Sequence, residues 1–170
     1  MRRVLRDRDE TGLNLIEVIV ALALLAMVML GVSTLFVRGG SSVKSGRELT
    51  QATSIGTQIM EEIDKLSYLQ VYTNFGATGS STSYTACTAV NAAGGCATAN
   101  SYAQRWQPQI DSMLSAPGYK AFGTIVLTPL GGTAAPPTFS SAQSIRVAVT
   151  VQWREGSSRV RSANFETVRF

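Results

Sequence analysis

LNLIEVIVALALLAMVMLGVSTLFV, residues Leu13 to Val37, is the stretch on which the rest of the chain depends. From Val18 to Val37 its 20 residues carry no charge, and Ser33 and Thr34 are the only clearly polar side chains. At a rise of about 1.5 Å per residue, a helix of that length covers about 30 Å, one hydrocarbon core. Both hydroxyls can bond back to helical carbonyls, so neither forbids insertion. A core helix of a soluble protein is rarely apolar on every side over such a length. A secretory signal has an apolar region of only about 7–15 residues and then a small-x-small cleavage site. Here Arg38, Gly39 and Gly40 follow instead, and the one obvious processing point, Thr11–Gly12, lies before the run. The segment is expected to span a membrane.

Composition narrows the rest. The chain has 170 residues, 15 basic and 11 acidic, with two cysteines and no histidine. Zinc fingers, His-dependent triads and two-His metal sites are excluded, and no metal or cofactor is expected. Only 15% of residues are charged, against about 25% in an average soluble domain. The net charge of +4 is modest, with Arg2, Arg3, Arg6 and Arg8 all at the start. A protein that coats DNA would be basic throughout. Those four arginines favour a cytoplasmic N-terminus, although Arg38, Lys44 and Arg47 beyond the run weaken the asymmetry.

Glu17 is the anomaly. A carboxylate at the edge of an apolar run costs up to about 2.5–3.5 kcal/mol on insertion scales, and no Lys or Arg lies nearby in the segment. It either reaches interfacial headgroups or has a positive partner supplied from elsewhere.

Thr11-Gly12-Leu13-Asn14-Leu15-Ile16-Glu17-Val18 closely resembles the signal of type IV prepilins and type II secretion pseudopilins. In that family a short charged leader ends in Gly, a hydrophobic residue follows, and Glu comes four residues later inside an apolar helix. The resemblance implies that prepilin peptidase cuts between Gly12 and Leu13, removing residues 1–12. Leu13 becomes the N-methylated N-terminus, and Glu17 neutralises the α-amino group of a neighbouring subunit during assembly. Two ions paired in a low dielectric are far better off than either alone. The family more often has Phe at the position of Leu13 and Thr or Ser at that of Asn14. The resemblance further implies a bacterial inner-membrane single-pass precursor with a cytoplasmic N-terminus and a periplasmic C-terminal domain, later part of a pilus at the cell surface. Its partners are prepilin peptidase, major and minor pilins, the inner-membrane assembly platform and, before assembly, membrane lipid.

Beyond the 13–37 helix the chain reads as a globular domain over 38–170. Ala52, Ile55, Ile59, Ile63, Leu66 and Leu69 recur at steps of three or four, opposite Gln51, Gln58, Glu61, Glu62 and Lys65, so 38–70 is an amphipathic helix. Run together from Leu13 to about Tyr68, the two parts make a helix about 80 Å long. Gly39, Gly40, Gly46 and Gly56 each weaken it by about 1 kcal/mol, which predicts a kink or looser turn near 39–46. Residues 71–118 have loop chemistry, rich in Ser, Thr, Asn and Gly. Cys87 and Cys96 sit in this region, and outside the cytoplasm a disulfide is their natural state. By the chain-entropy model it contributes about 2–3 kcal/mol. Two free thiols in redox or metal chemistry would be the alternative, but no further ligands accompany them. Tyr102–Met113 reads as a short helix or an irregular packed piece.

Residues 119–170 are strand-like. Tyr119–Leu127 is one strand, and LTPLGGTAAPPTF then breaks regular structure. Ile145, Val147, Val149, Val151 and Trp153 alternate with Arg146, Ala148, Thr150, Gln152 and Arg154, a half-buried strand. Glu155–Ser158 turns, and 159–170 returns to make an antiparallel hairpin. A sheet of at least three strands under the 52–69 stripe gives an α+β fold, which is the type IV pilin layout that the resemblance implies. The Ile145–Trp153 strand followed by a basic turn looks like the PilV-type minor pilins and the I-type minor pseudopilins.

Little here resembles catalytic equipment. Asp111 stands alone outside the helix, the Gly94–Gly95 and Gly131–Gly132 pairs are turn signals, and no enzymatic activity is expected. Arg146, Arg154, Arg159 and Arg161, with Arg169, form a candidate basic patch, read either as a solvated sheet face or as a contact surface for DNA, an acidic pilin or a surface polymer. The expected function is that of a minor pilin in a priming or tip complex. A type II secretion minor pseudopilin is a variant of it, and a tip-exposed adhesin or DNA-uptake module is the alternative of another class, with nucleic acid not favoured.

Overall fold

A computed structural model describes residues 15–90, 96–114, 118–155 and 159–170. Helix α1 runs from Leu15 to Asp64 and α2 from Tyr68 to Thr73. A four-residue strand β1, Tyr84–Cys87, precedes a 3-10 turn at Ala103–Trp106 and helix α3, Gln107–Leu114. Strands β2 (Phe122–Leu130), β3 (Ser144–Glu155) and β4 (Arg159–Arg169) complete the fold. The chain divides into two units with the boundary at Lys44/Ser45. In the first, every described residue is helical and exposed.

The second unit, Ser45–Phe170, is α+β: the C-terminal part of α1 packs on a four-stranded antiparallel sheet of order β1-β2-β3-β4. In β3 the predicted alternation holds, with Ile145, Val147, Val149, Val151 and Trp153 all buried. Across from them lie Ala52, Ile55, Ile59 and Ile63 of α1, and Ile125 and Leu127 of β2 join the same core. Each such aliphatic side chain taken from water stabilises the fold by about 1.5–3 kcal/mol. Gly56 belongs to this face for another reason. A Cβ there would lie 2.0 Å from a ring carbon of Phe165, so only a bare α-carbon lets helix and sheet approach this closely.

Four expectations need correction. No looser turn interrupts α1 near 39–46, which is helical throughout. Gly39, Gly40 and Gly46 weaken a helix without breaking one whose neighbouring turns are intact. The helix ends at Asp64, not near Tyr68, because a capping box starts a new one. The Ser67 amide donates to Gln70 Oε1 at 3.0 Å, and the Ser67 hydroxyl accepts from the Gln70 amide. That break takes Leu69 off the buried stripe and leaves it exposed. Third, the loop region contains a strand, since Tyr84–Cys87 pairs with Leu127–Thr124. Fourth, β2 runs on through Pro129 to Leu130. Past Leu127 it has no β1 partner, and a residue without an amide proton is tolerated on such a half-open stretch. After it, Gly131 and Gly132 turn with φ of 68° and 100°. At Gly132 a Cβ would fall 2.0 Å from the Ser141 carbonyl oxygen.

Candidate assembly surfaces

The apolar run is one long exposed helical surface. Leu15, Ile16, Leu22, Leu25, Met27, Leu30, Leu35 and Phe36 all stand open, between 53% and 77% accessible. This helix is long and apolar enough to cross a membrane. The two hydroxyls within its uncharged part are satisfied by its own backbone. The Ser33 hydroxyl donates to the Met29 carbonyl at 2.8 Å, and that of Thr34 to the Gly31 carbonyl at 2.7 Å.

Glu17 sits in the first turn of α1, where the helix dipole favours an anion. It is exposed, and among the described residues no hydrogen bond or ion pair reaches its carboxylate. Gly12 and Leu13, the expected processing site, lie outside the described residues, as do the rest of the expected 1–12 leader, Gly94–Gly95 and residues 156–158 of the expected Glu155–Ser158 turn.

Cys87 and Cys96 form a disulfide with their α-carbons 6.0 Å apart. It packs with Ala89, Phe122 and Tyr119 as a cluster separate from the main core. A buried polar knot ties this region down. The Thr88 hydroxyl donates to Gln107 Oε1 at 2.6 Å and accepts from the Gly123 amide at 2.7 Å, and the Gln107 amide donates to Asp111 and to the Ala121 carbonyl. Asp111 is therefore held as an acceptor in a structural network. Among the described residues no group of three or more His, Cys, Asp or Glu could hold a metal ion.

The arginines do not share one face. Strand register places Arg146 beside Val168 and Arg154 beside Val160 on the side away from α1. Arg161, paired with the buried Trp153, and Arg159, paired with Glu155, alternate onto the α1 side. Arg146 binds Glu166 at 3.0 Å, Arg161 binds Glu155 at 2.7 Å, and Arg154 lies over the Tyr119 ring at 5.1 Å. Hydrogen bonds from Ser45 and Arg161 hold the Glu155 carboxyl below its ordinary range.

Arg169, named with that patch, and Glu62, which was no candidate, hold the end of α1. Arg169 donates to the Ile63 and Leu66 carbonyls and to Asp64, at 3.3, 2.8 and 3.0 Å, so that it caps the end of a helix with no basic residue in its own last turn. Glu62 accepts from the Trp106 indole at 2.9 Å and from Arg105 at 2.8 Å, which fastens the 3-10 turn to α1. Partial burial pushes the Glu62 carboxyl upward, but bonds from Trp106 and Gln58, with the charge of Arg105, bring it below the usual value. The i,i+4 spacing of Gln58 and Glu62 was visible in the sequence; the partners from residues 105 and 106 were not. No family model, curated protein or solved structure matches the chain.

Proposed function

We propose that this chain is a minor pilin, a structural subunit that helps to start assembly of a type IV pilus within a priming or tip complex. One observation carries the reading: an exposed, uncharged helical run with a lone carboxylate, Glu17, in its first turn. A surface of this kind is unsuited to water and has two natural homes, a bilayer and the helical core of a fibre. In either, Glu17 requires a cation, and an α-amino group newly exposed at Leu13 of the next subunit would supply it. The α+β body supports the same reading, and the disulfide suits a domain outside the cytoplasm. Prepilin peptidase, other pilins and the membrane assembly platform are the partners it requires.

The division of the arginines between two faces weighs against a DNA-binding patch built from all four. A minor pseudopilin of type II secretion would use the same helix in the same way. The test is mass spectrometry of the mature chain, where the reading expects a methylated N-terminus at Leu13. Glu17→Ala should still be processed but should be lost from sheared filaments. A mature chain that retains residues 1–12, or undiminished incorporation of Glu17→Ala, would overturn the proposal.

A further inference from the structure

The two edges of the sheet are finished differently. At one edge β1 has only four residues, and its Cys87 carbonyl accepts from the Asn100 amide at 2.8 Å, so later chain covers part of it. The other edge is β4, eleven residues from Arg159 to Arg169 and last in the order β1-β2-β3-β4. Its pairing with β3 keeps one register from Ile145↔Arg169 to Glu155↔Arg159, without a bulge, and the strand contains no proline or glycine. Among the described residues no strand lies on its far side.

Open edges of folded proteins are guarded by short length, proline, a bulge or outstanding charges. The first three guards are absent from β4, and most of its charges are drawn back over their own subunit. Arg161 binds Glu155 and Glu166 binds Arg146, both acceptable partners on β3, while Arg169 binds Asp64 and the carbonyls at the end of α1. Only Arg159, at the hairpin end, forms no ion pair among the described residues. From Ser162 to Phe165 the strand is uncharged. Val160 and Val168 are exposed on the face away from α1, and Phe165 on the other face is only half-buried.

We infer that the β4 edge is a docking site for an extended segment of a partner protein, which joins the sheet as a fifth strand and sets a carboxylate beside Arg159. The edge selects this class of partner, because its outward amides and carbonyls are spaced to pair with another extended chain. A second copy is disfavoured. Antiparallel pairing of β4 with itself over its full length centres on Asn164 and sets Arg159 beside Arg169 at both ends, like charges opposite one another. The side chains that fit are those of β3. A strand like β3, moved across β4 without turning, keeps the same partners and faces, and offers β4 the amides that β3 itself turns to β2. Val147, Val149 and Val151 would then flank Thr167, Phe165 and Ala163, and the acid of Glu155 would meet Arg159. The inference concerns the second unit alone and does not rest on the filament reading.

The test uses the full chain in mild detergent and, as probe, a synthetic peptide with the β3 sequence Ser144–Glu155. Amide hydrogen exchange in β4 should slow about tenfold at every second residue, the factor that one net hydrogen bond supplies, with β1 unchanged. In this register the peptide sets its Arg154 beside Val160 and its Arg146 beside Val168. V160K/V168K should therefore abolish the slowing, and V160E/V168E should produce it at a lower peptide concentration, each with the protection of Ile59 and Val149 intact. No slowing at about 1 mM peptide, equal slowing in V160K/V168K, or slowing at Tyr84–Cys87 in place of β4 would overturn the inference. Slowing that grows with protein concentration and needs no peptide would assign the edge to a second copy and also overturn it.

Discussion

Gly56→Ala places a methyl group where the structure has none to spare. The new carbon would lie 2.0, 2.4 and 2.6 Å from Cε2, Cδ2 and Cζ of Phe165, well inside the roughly 3.5–4.0 Å at which carbon atoms rest. The ring must retreat by about 1.5 Å, and because Phe165 is half-buried on the edge strand β4 it can do so only by leaving the helix face. Overpacking of this kind costs about 1–3 kcal/mol, whereas replacing a helical glycine by alanine returns about 1 kcal/mol. The net effect in the parent chain is a loss of about 1 kcal/mol. In a Phe165→Ala background the obstruction is gone, and the same substitution should stabilise by about 1 kcal/mol. Urea unfolding of the full chain in mild detergent measures both, read through the buried Trp106 and Trp153. The coupling energy should be about 1–3 kcal/mol. If G56A stabilises both backgrounds alike, with a coupling under about 0.5 kcal/mol, the close approach of helix and sheet is not what keeps this glycine.

Cys87→Ser with Cys96→Ser should cost about 2–3 kcal/mol in the same unfolding assay, and exchange at Thr88 and Gly123 should rise before the core opens. Arg169→Ala leaves the Ile63 and Leu66 carbonyls without their donor and should destabilise by about 1–3 kcal/mol, with Arg169→Lys recovering only part because lysine lacks the fork. Glu62 has a folded pKa below its ordinary value of 4.5, so the stability it contributes is complete above that pH and is lost as pH falls through the depressed value. Glu62→Gln should therefore flatten the acid limb of the stability curve. A parent and a variant that lose stability in parallel below pH 4.5 would show that the Trp106–Arg105 clasp contributes nothing.

Periodicity carried most of the fold. The 20-residue uncharged run and the strict alternation from Ile145 to Trp153 each admit one regular conformation, and the α1 stripe at Ala52, Ile55, Ile59 and Ile63 needs the sheet it found. The second helix was readable in Ser67 and Gln70, a capping-box spacing, but the continuing apolar steps to Leu69 hid it. Strand β1 was not readable: four residues, Tyr-Thr-Ala-Cys, in a polar stretch become a strand only because β2 offers an open edge. The sorting of the arginines had the same cause. Period two tells which residues of one strand share a face, but the β3–β4 register decides which face each strand presents, and three ion-pair partners, Glu155, Glu166 and Asp64, are fixed only by tertiary contact.

The clasp between Arg169 and the end of α1 joins positions more than a hundred residues apart. As the polypeptide is synthesised, the stretch from Ser45 to Asp64 is delivered about a hundred residues before the guanidinium that finishes it. Until then the first-delivered helix has an uncovered greasy stripe and dangling carbonyls. Closure therefore waits for β4, and a chain stalled short of that strand would be one that a quality-control protease could tell from a folded one.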